Sequence, residues 1–195
     1  VITNNVLSGP RRQYNGAGVY VAMGRPVITN NTITGNRAVP GPGTRYLLTY
    51  GYGGGIWVGF QSDPIVTQNV IGGNQAGDPT AAYSLGGGGG IVVFPGDADH
   101  PGPIIDRNMV VDNITDTLGG GVSLNSLANT EAVAVVTNNV IAGNRAKNGG
   151  GVYTYFNKSS TINNTISDNF AFLGGGIYSG QSDLTLPVTI TTGTS

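Results

Sequence analysis

One short motif recurs along the whole chain, and it leaves few folds open. Six segments align: Val1-Ile2-Thr3-Asn4-Asn5-Val6-Leu7, Val27-Ile28-Thr29-Asn30-Asn31-Thr32-Ile33, Ile65-Val66-Thr67-Gln68-Asn69-Val70-Ile71, Ile104-Ile105-Asp106-Arg107-Asn108-Met109-Val110, Val135-Val136-Thr137-Asn138-Asn139-Val140-Ile141 and Ser160-Thr161-Ile162-Asn163-Asn164-Thr165-Ile166. The second Asn position is filled in every copy, by Asn5, Asn31, Asn69, Asn108, Asn139 and Asn164. Five residues later a further Asn follows in five copies, at Asn36, Asn74, Asn113, Asn144 and Asn169, while the first copy has Pro10 there. Each copy is then followed by a Gly-rich run and an apolar pair or triplet, as in Gly53-Gly54-Gly55-Ile56-Trp57-Val58 and Gly149-Gly150-Gly151-Val152-Tyr153.

The shortest spacing between copies defines a unit of about 25 residues, and the longer spacings carry insertions. A unit this small, made of short apolar runs and Gly or Asn turns, cannot bury its own apolar side chains. Stacking successive units closes a continuous core. Apolar residues alternate at period two, and Gly and Asn interrupt every helical run, so the units are strands. The expectation is a β-solenoid of six coils, each about 4.8 Å above the last and roughly 30 Å tall in all. Insertions fall in coils two to four, at 39–52, 77–85, 95–103 and 125–133. Residues 1–183 read as one solenoid domain. Residues 184–195 read as a C-terminal β tail that departs from the repeat.

Composition narrows the partners. Of 195 residues, 34 are Gly and 10 are Pro, yet 38% are apolar and the net charge is −1, a poor match to a disordered chain. Nine Lys and Arg spread over the whole chain argue against nucleic acid. With no Cys there is neither a disulfide framework nor thiol chemistry. No apolar run is long enough for a membrane-spanning helix, so no membrane insertion is expected. The opening Val1-Ile2-Thr3 is neither a start Met nor a signal peptide, and reads as the start of a processed or truncated product.

The Asn columns have a structural explanation. Asn tolerates left-handed backbone at turns, and stacked amides can donate and accept along the coil axis. The Gly triplets read as bends and close backbone approach, since none opens a helix as a phosphate loop would. Together these units resemble right-handed parallel β-helix repeats, above all the Asn- and Gly-rich repeats of bacterial surface proteins such as the polymorphic outer-membrane proteins. The resemblance covers about residues 1–180. It implies an all-β, right-handed parallel β-helix related in fold to the pectate lyases. It implies little about activity, which on such a scaffold lives in particular side chains.

Period-two alternation assigns faces. Val19, Ile56, Ile91, Val122, Val152 and Ile177 point inward, and Tyr20, Trp57, Val92, Ser123, Tyr153 and Tyr178 point outward. Tyr20, Trp57, Tyr153 and Tyr178 are therefore the candidate carbohydrate-binding residues. Packing beneath the insertions or against another subunit is the alternative use of the same rings. The insertions would wall a groove over Trp57 and Val92, lined by Arg45, Tyr46, Tyr50, Asp63, Asp97, Asp99 and His100. Asp97 and Asp99 are the candidate metal ligands, with Ca²⁺ the one cofactor that their spacing allows. No EF-hand-like or Ca²⁺-binding nonapeptide pattern surrounds the pair, so a solvated polar loop is the plainer reading. A single outward Thr column, Thr3, Thr29, Thr67 and Thr137, is interrupted by Asp106 and falls short of an ice-binding face.

The sequence assigns no catalytic residue. The acids lie in different registers, there is one His, and no triad signature is present. The expectation is an extracellular or cell-surface structural scaffold, associating with copies of itself end to end. Both ends support this: the first residues are already a repeat motif, and the alternating tail could pair with a neighbour. The alternative is a polysaccharide lyase, a hydrolase or a glycan-binding module.

Overall fold

The computed structural model describes residues 1–8, 13–39, 49–59, 61–78, 84–94, 100–125, 133–155, 158–180, 183–185 and 189–191. Every strand among them pairs in parallel, in five sheets that run along one axis, and no helix is present among them. One turn of the chain visits the sheets in order. The first sheet holds Val27–Thr29, Ile65–Thr67, Ile104–Asp106, Val133–Thr137, Lys158–Ile162 and Asp183–Thr185. The second holds Ile2–Thr3, Thr32–Thr34, Val70–Gly72, Met109–Val111, Val140–Ala142, Thr165–Ser167 and Thr189–Thr191. Short strands at Val6–Leu7, Arg37–Ala38, Gln75–Ala76 and Ile114–Thr115 make the third. The fourth has Gln13–Asn15, Thr49–Tyr52 and Ser84–Gly87. The fifth comprises Val19–Val21, Ile56–Val58, Ile91–Val93, Val122–Asn125, Val152–Tyr155 and Ile177–Gly180, one strand for each of the six expected coils.

The core follows from the alternation. Ile28, Val66, Ile105 and Val136 of the first sheet, Ile33, Ile71, Val110, Ile141 and Ile166 of the second, and Ile56, Ile91, Val122 and Val152 of the fifth meet in one buried cluster. Because successive coils are in register, each side chain lies over its own kind, as Val66 does between Ile28 and Ile105.

Two Asn columns run through this core. Asn74 shows the arrangement. Its N–H and one Nδ2–H both donate to Oδ1 of Asn113 in the next coil, each at 3.0 Å, and its other Nδ2–H donates to the Ile33 carbonyl at 2.9 Å. Its own Oδ1 accepts from the N–H and Nδ2 of Asn36 below, again at 3.0 Å. No polar atom of the side chain is left over, which is what allows it to be fully buried.

Two expectations are corrected here. Asn5 does not stack with Asn31. Ile2 and Thr3 pair with Ile33 and Thr34, so Asn5 lies beneath Asn36 and donates to its Oδ1. One column is Asn31, Asn69, Asn108, Asn139 and Asn164, and the other is Asn5, Asn36, Asn74, Asn113, Asn144 and Asn169. Thr3 leaves the Thr29 column for the same reason. Both turns read apolar-Thr-x-Asn in this stretch, so the segment fits either, and only coil-to-coil pairing chooses. The second correction concerns the backbone. The ladder residues are not the left-handed ones. Those come just before them: Asn30, Gln68, Arg107, Asn138 and Asn163 at one turn, and Asn4, Gly35, Gly73, Asp112, Gly143 and Asp168 at the other. Hydrogen bonding, and not turn geometry, is what demands Asn in the ladder.

The Gly triplet lies beside the second ladder. A Cβ on Gly121 would come within 2.7 Å of the Gly151 carbonyl oxygen and 3.0 Å of the Asn144 amide nitrogen. Past residue 183 the chain continues two sheets: Asp183–Thr185 pairs with Lys158–Ser160, and Thr189–Thr191 with Thr165–Ser167. Inside the later coils the core turns polar. Thr154 and Ser159 face each other at 3.4 Å, and Thr161 is buried with no hydrogen-bond partner for its hydroxyl.

Two stability measurements follow. Asn113→Leu leaves two donors of Asn74 without partners and removes the bond to the Ile71 carbonyl, and should cost about 3 kcal/mol or more in urea denaturation. Asn5→Leu, at an exposed position, should cost under about 1 kcal/mol, and equal losses at the two positions would contradict this account. Thr161→Val keeps the shape and removes the orphaned hydroxyl, so it should raise stability by about 1 kcal/mol, and a loss of that size would refute the unsatisfied assignment.

Candidate functional site

The outward column forms as the alternation requires. Tyr20, Trp57, Val92, Ser123, Tyr153 and Tyr178 pair successively in register along the fifth sheet. Their exposure is uneven. Tyr20 is 56% exposed, Trp57 only 6%, and Val92 and Ser123 not at all. The rings stack on one another in pairs, and only Tyr20 is exposed. Tyr20 lies flat on Trp57 with centroids 4.3 Å apart and planes 8° apart, and Tyr153 lies on Tyr178 at 5.2 Å and 6°. A sugar cannot stack on Trp57 unless Tyr20 moves.

The rings also cover glycines. A Cβ on Gly59 would meet the Trp57 ring at 2.1 Å, and one on Gly180 would sit 3.0 Å from the Tyr155 ring and 3.1 Å from that of Tyr178. Phe94 stands edge-on to Tyr52 at 5.5 Å and tilted to Trp57 at 6.1 Å, while Tyr50 stacks on Tyr52 at 6.0 Å. The floor expected of the groove is thus closed at Trp57 and Val92. Crowding shows in the phenols. Burial first, then Tyr50 and Asp116, pushes Tyr52 up to about 12. Burial, then Tyr178 and Tyr155, does the same for Tyr153.

Of the remaining groove residues, Arg45, Tyr46, Asp97 and Asp99 lie outside the described residues. Asp63 and His100 are brought together, at 2.9 Å between Asp63 Oδ2 and His100 Nδ1. The same oxygen takes the Arg25 Nε at 3.1 Å, and Oδ1 accepts the Gly102 N–H at 3.0 Å. The Asp63 N–H donates to the Gly24 carbonyl at 3.1 Å. One buried carboxylate therefore ties three successive links between the fifth and first sheets. Arg25 was missed in the sequence, although a signal exists: Arg25-Pro26, Asp63-Pro64 and Gly102-Pro103 each stand just before a first-sheet strand.

The other acids go elsewhere. Asp106 takes the Thr137 hydroxyl at 3.0 Å, the Asn138 amide at 2.8 Å and the Arg107 guanidinium at 2.6 Å. Burial pushes its carboxyl up, but those three partners outweigh it and hold the carboxyl below its ordinary range. The buried Asp116 carboxylate is wedged between Gly77 and Gly86, where an added Cβ would approach its oxygens to 2.5 Å. Among the described residues, no three His, Asp or Glu side chains converge as a metal site would need.

The repeat, the parallel registers and the Asn ladders agree with one family pattern, the right-handed β-helix region, which matches residues 1–189. The chain belongs to the right-handed β-helix family. Comparison with curated proteins and with solved structures gives no match. The handedness of this β-helix is that of the family, and the parallel all-β architecture is the one that the repeat implies.

The tyrosines supply a pH test. Their neutral forms are favoured by the fold, so their contribution to stability is complete below about pH 10 and lost as pH rises toward 12. In an absorbance titration two of the nine tyrosines should ionise near pH 12, and Tyr153→Phe should remove one and move alkaline unfolding to higher pH. All nine ionising together near pH 10 in a natively folded β-helix would exclude the packing described.

Proposed function

We propose that this β-helix is an extracellular structural element, a stiff scaffold on a cell surface or in a secreted protein. The observation that carries the reading is the pair of Asn ladders that passes without a break from coil to coil. Successive coils are hydrogen-bonded through these amides as well as along the sheets, so bending means breaking buried bonds. Among the described residues, several side chains that could do chemistry are engaged in this frame: Asp63 and Asp106 hold loops and turns, and Trp57 and Tyr153 are stacked and buried.

Association with copies of itself belongs to the same proposal. Its support is a patch on coil six where Phe170, Phe172 and Leu173 are 56%, 79% and 55% exposed. Large apolar side chains grouped on a weakly charged surface favour self-contact. A glycan-binding use is the second reading, favoured by the exposure of Tyr20 above Trp57.

Sedimentation and a polysaccharide panel, each with and without Ca²⁺, separate these readings. The scaffold reading expects no cleavage, no retention on glycans, and association that weakens in Phe172→Ser. Product formation would overturn it in favour of a lyase or hydrolase. Retention that is lost in Tyr20→Ala would establish the binding module.

A further inference from the structure

Two Asn-Gly dipeptides occur in the chain, Asn15-Gly16 and Asn148-Gly149. Asn-Gly is where spontaneous cyclisation is easiest, because no side chain shields the nitrogen that follows. That nitrogen loses its proton and attacks Asn Cγ. The new N–Cγ bond closes a succinimide as the Cγ–Nδ2 bond breaks and ammonia leaves. Water then opens the ring to aspartate or to isoaspartate, whose backbone runs through the former side chain and is one methylene longer.

In the folded chain both nitrogens are engaged. The Gly149 N–H donates to the Leu173 carbonyl of coil six at 2.9 Å, and the Gly16 N–H donates to the Tyr52 carbonyl of coil two at 2.9 Å. Asn148 is itself locked. Its N–H donates to the Thr117 carbonyl, and its own carbonyl accepts from the Gly119 N–H, each at 2.9 Å. Turning its backbone far enough to bring N to Cγ breaks these bonds together. Gly149 itself has no room for a side chain, since a Cβ there would come within 2.4 Å of the Val152 carbonyl oxygen.

We propose that Asn148-Gly149 is a latent modification site, closed by coils four and six together and opened when coil five loosens from them. The reaction is then irreversible. An extra methylene at a triplet with no room for a Cβ prevents the coils from closing again, so a transient opening becomes permanent. Asn15-Gly16 is held by coil two and does not respond to coil six.

Incubating the intact chain in mild alkali, native and in urea, and reading isoaspartate at both dipeptides by mass spectrometry, tests this. Native modification at Asn148 should be about a hundredfold slower than in urea, as local opening controls it. Asn169→Leu removes the coil-six acceptor of Asn144 and should speed Asn148 about tenfold while Asn15 keeps its native rate. Hydrogen exchange at the Gly149 amide should accelerate in step, provided that circular dichroism shows the variant folded. Should that variant unfold, the native-to-urea ratio and the native exchange rate decide alone. Equal rates native and in urea, or a variant that speeds both dipeptides equally, would overturn the proposal.

Discussion

A buried amide has four hydrogen-bonding positions, and in this chain they can all be filled only by the coils above and below. That condition governs the structure. An Asn at a ladder position is costly in an isolated coil, because its oxygen and amide hydrogens would be buried without partners. Stacked in register, the same side chain accepts two bonds and donates two, as Asn74 does. The registers of the second sheet, the closeness of the Gly triplets and the left-handed turns just before each ladder residue follow from keeping those amides aligned.

The outer surface obeys a weaker rule. Outside the core there is no periodic demand for polar satisfaction, so coils differ in what they place there. The fifth sheet uses this freedom for an aromatic column interrupted by Val92 and Ser123, with rings laid over Gly59 and Gly180. Aromatic rings on glycine restore contacts that a missing side chain forfeits. The Asp63 clamp works in a similar way at the links between sheets, where the backbone leaves the regular ladder and a carboxylate with Arg25, His100 and Gly102 as partners replaces it.

Much of the fold could be read directly. Alternation placed Ile56 inside and Trp57 outside, and the recurrence of Asn at fixed spacing indicated stacking. Orientation and exposure are separate matters, however. Trp57 points outward and is still buried, because Tyr20 lies on its face and its ring packs over Gly59. Asn5 was placed in the wrong column because a short motif can satisfy two adjacent turns equally, and the ladder that it joins is chosen by Ile2 and Thr3 pairing with Ile33 and Thr34.

What the sequence determined by itself is the architecture: a periodic chain with a 25-residue unit must repeat one local structure, and its apolar residues are buried only if the copies stack. What the tertiary structure alone decided is which side chains remain available for anything else. Availability depends on neighbours that are distant in sequence, as with Arg25, Asp63 and His100, which meet from three successive coils. Periodicity fixes where a residue stands on its own strand. It does not say what the next coil lays over it, and that contact is what buries Trp57 and Tyr153.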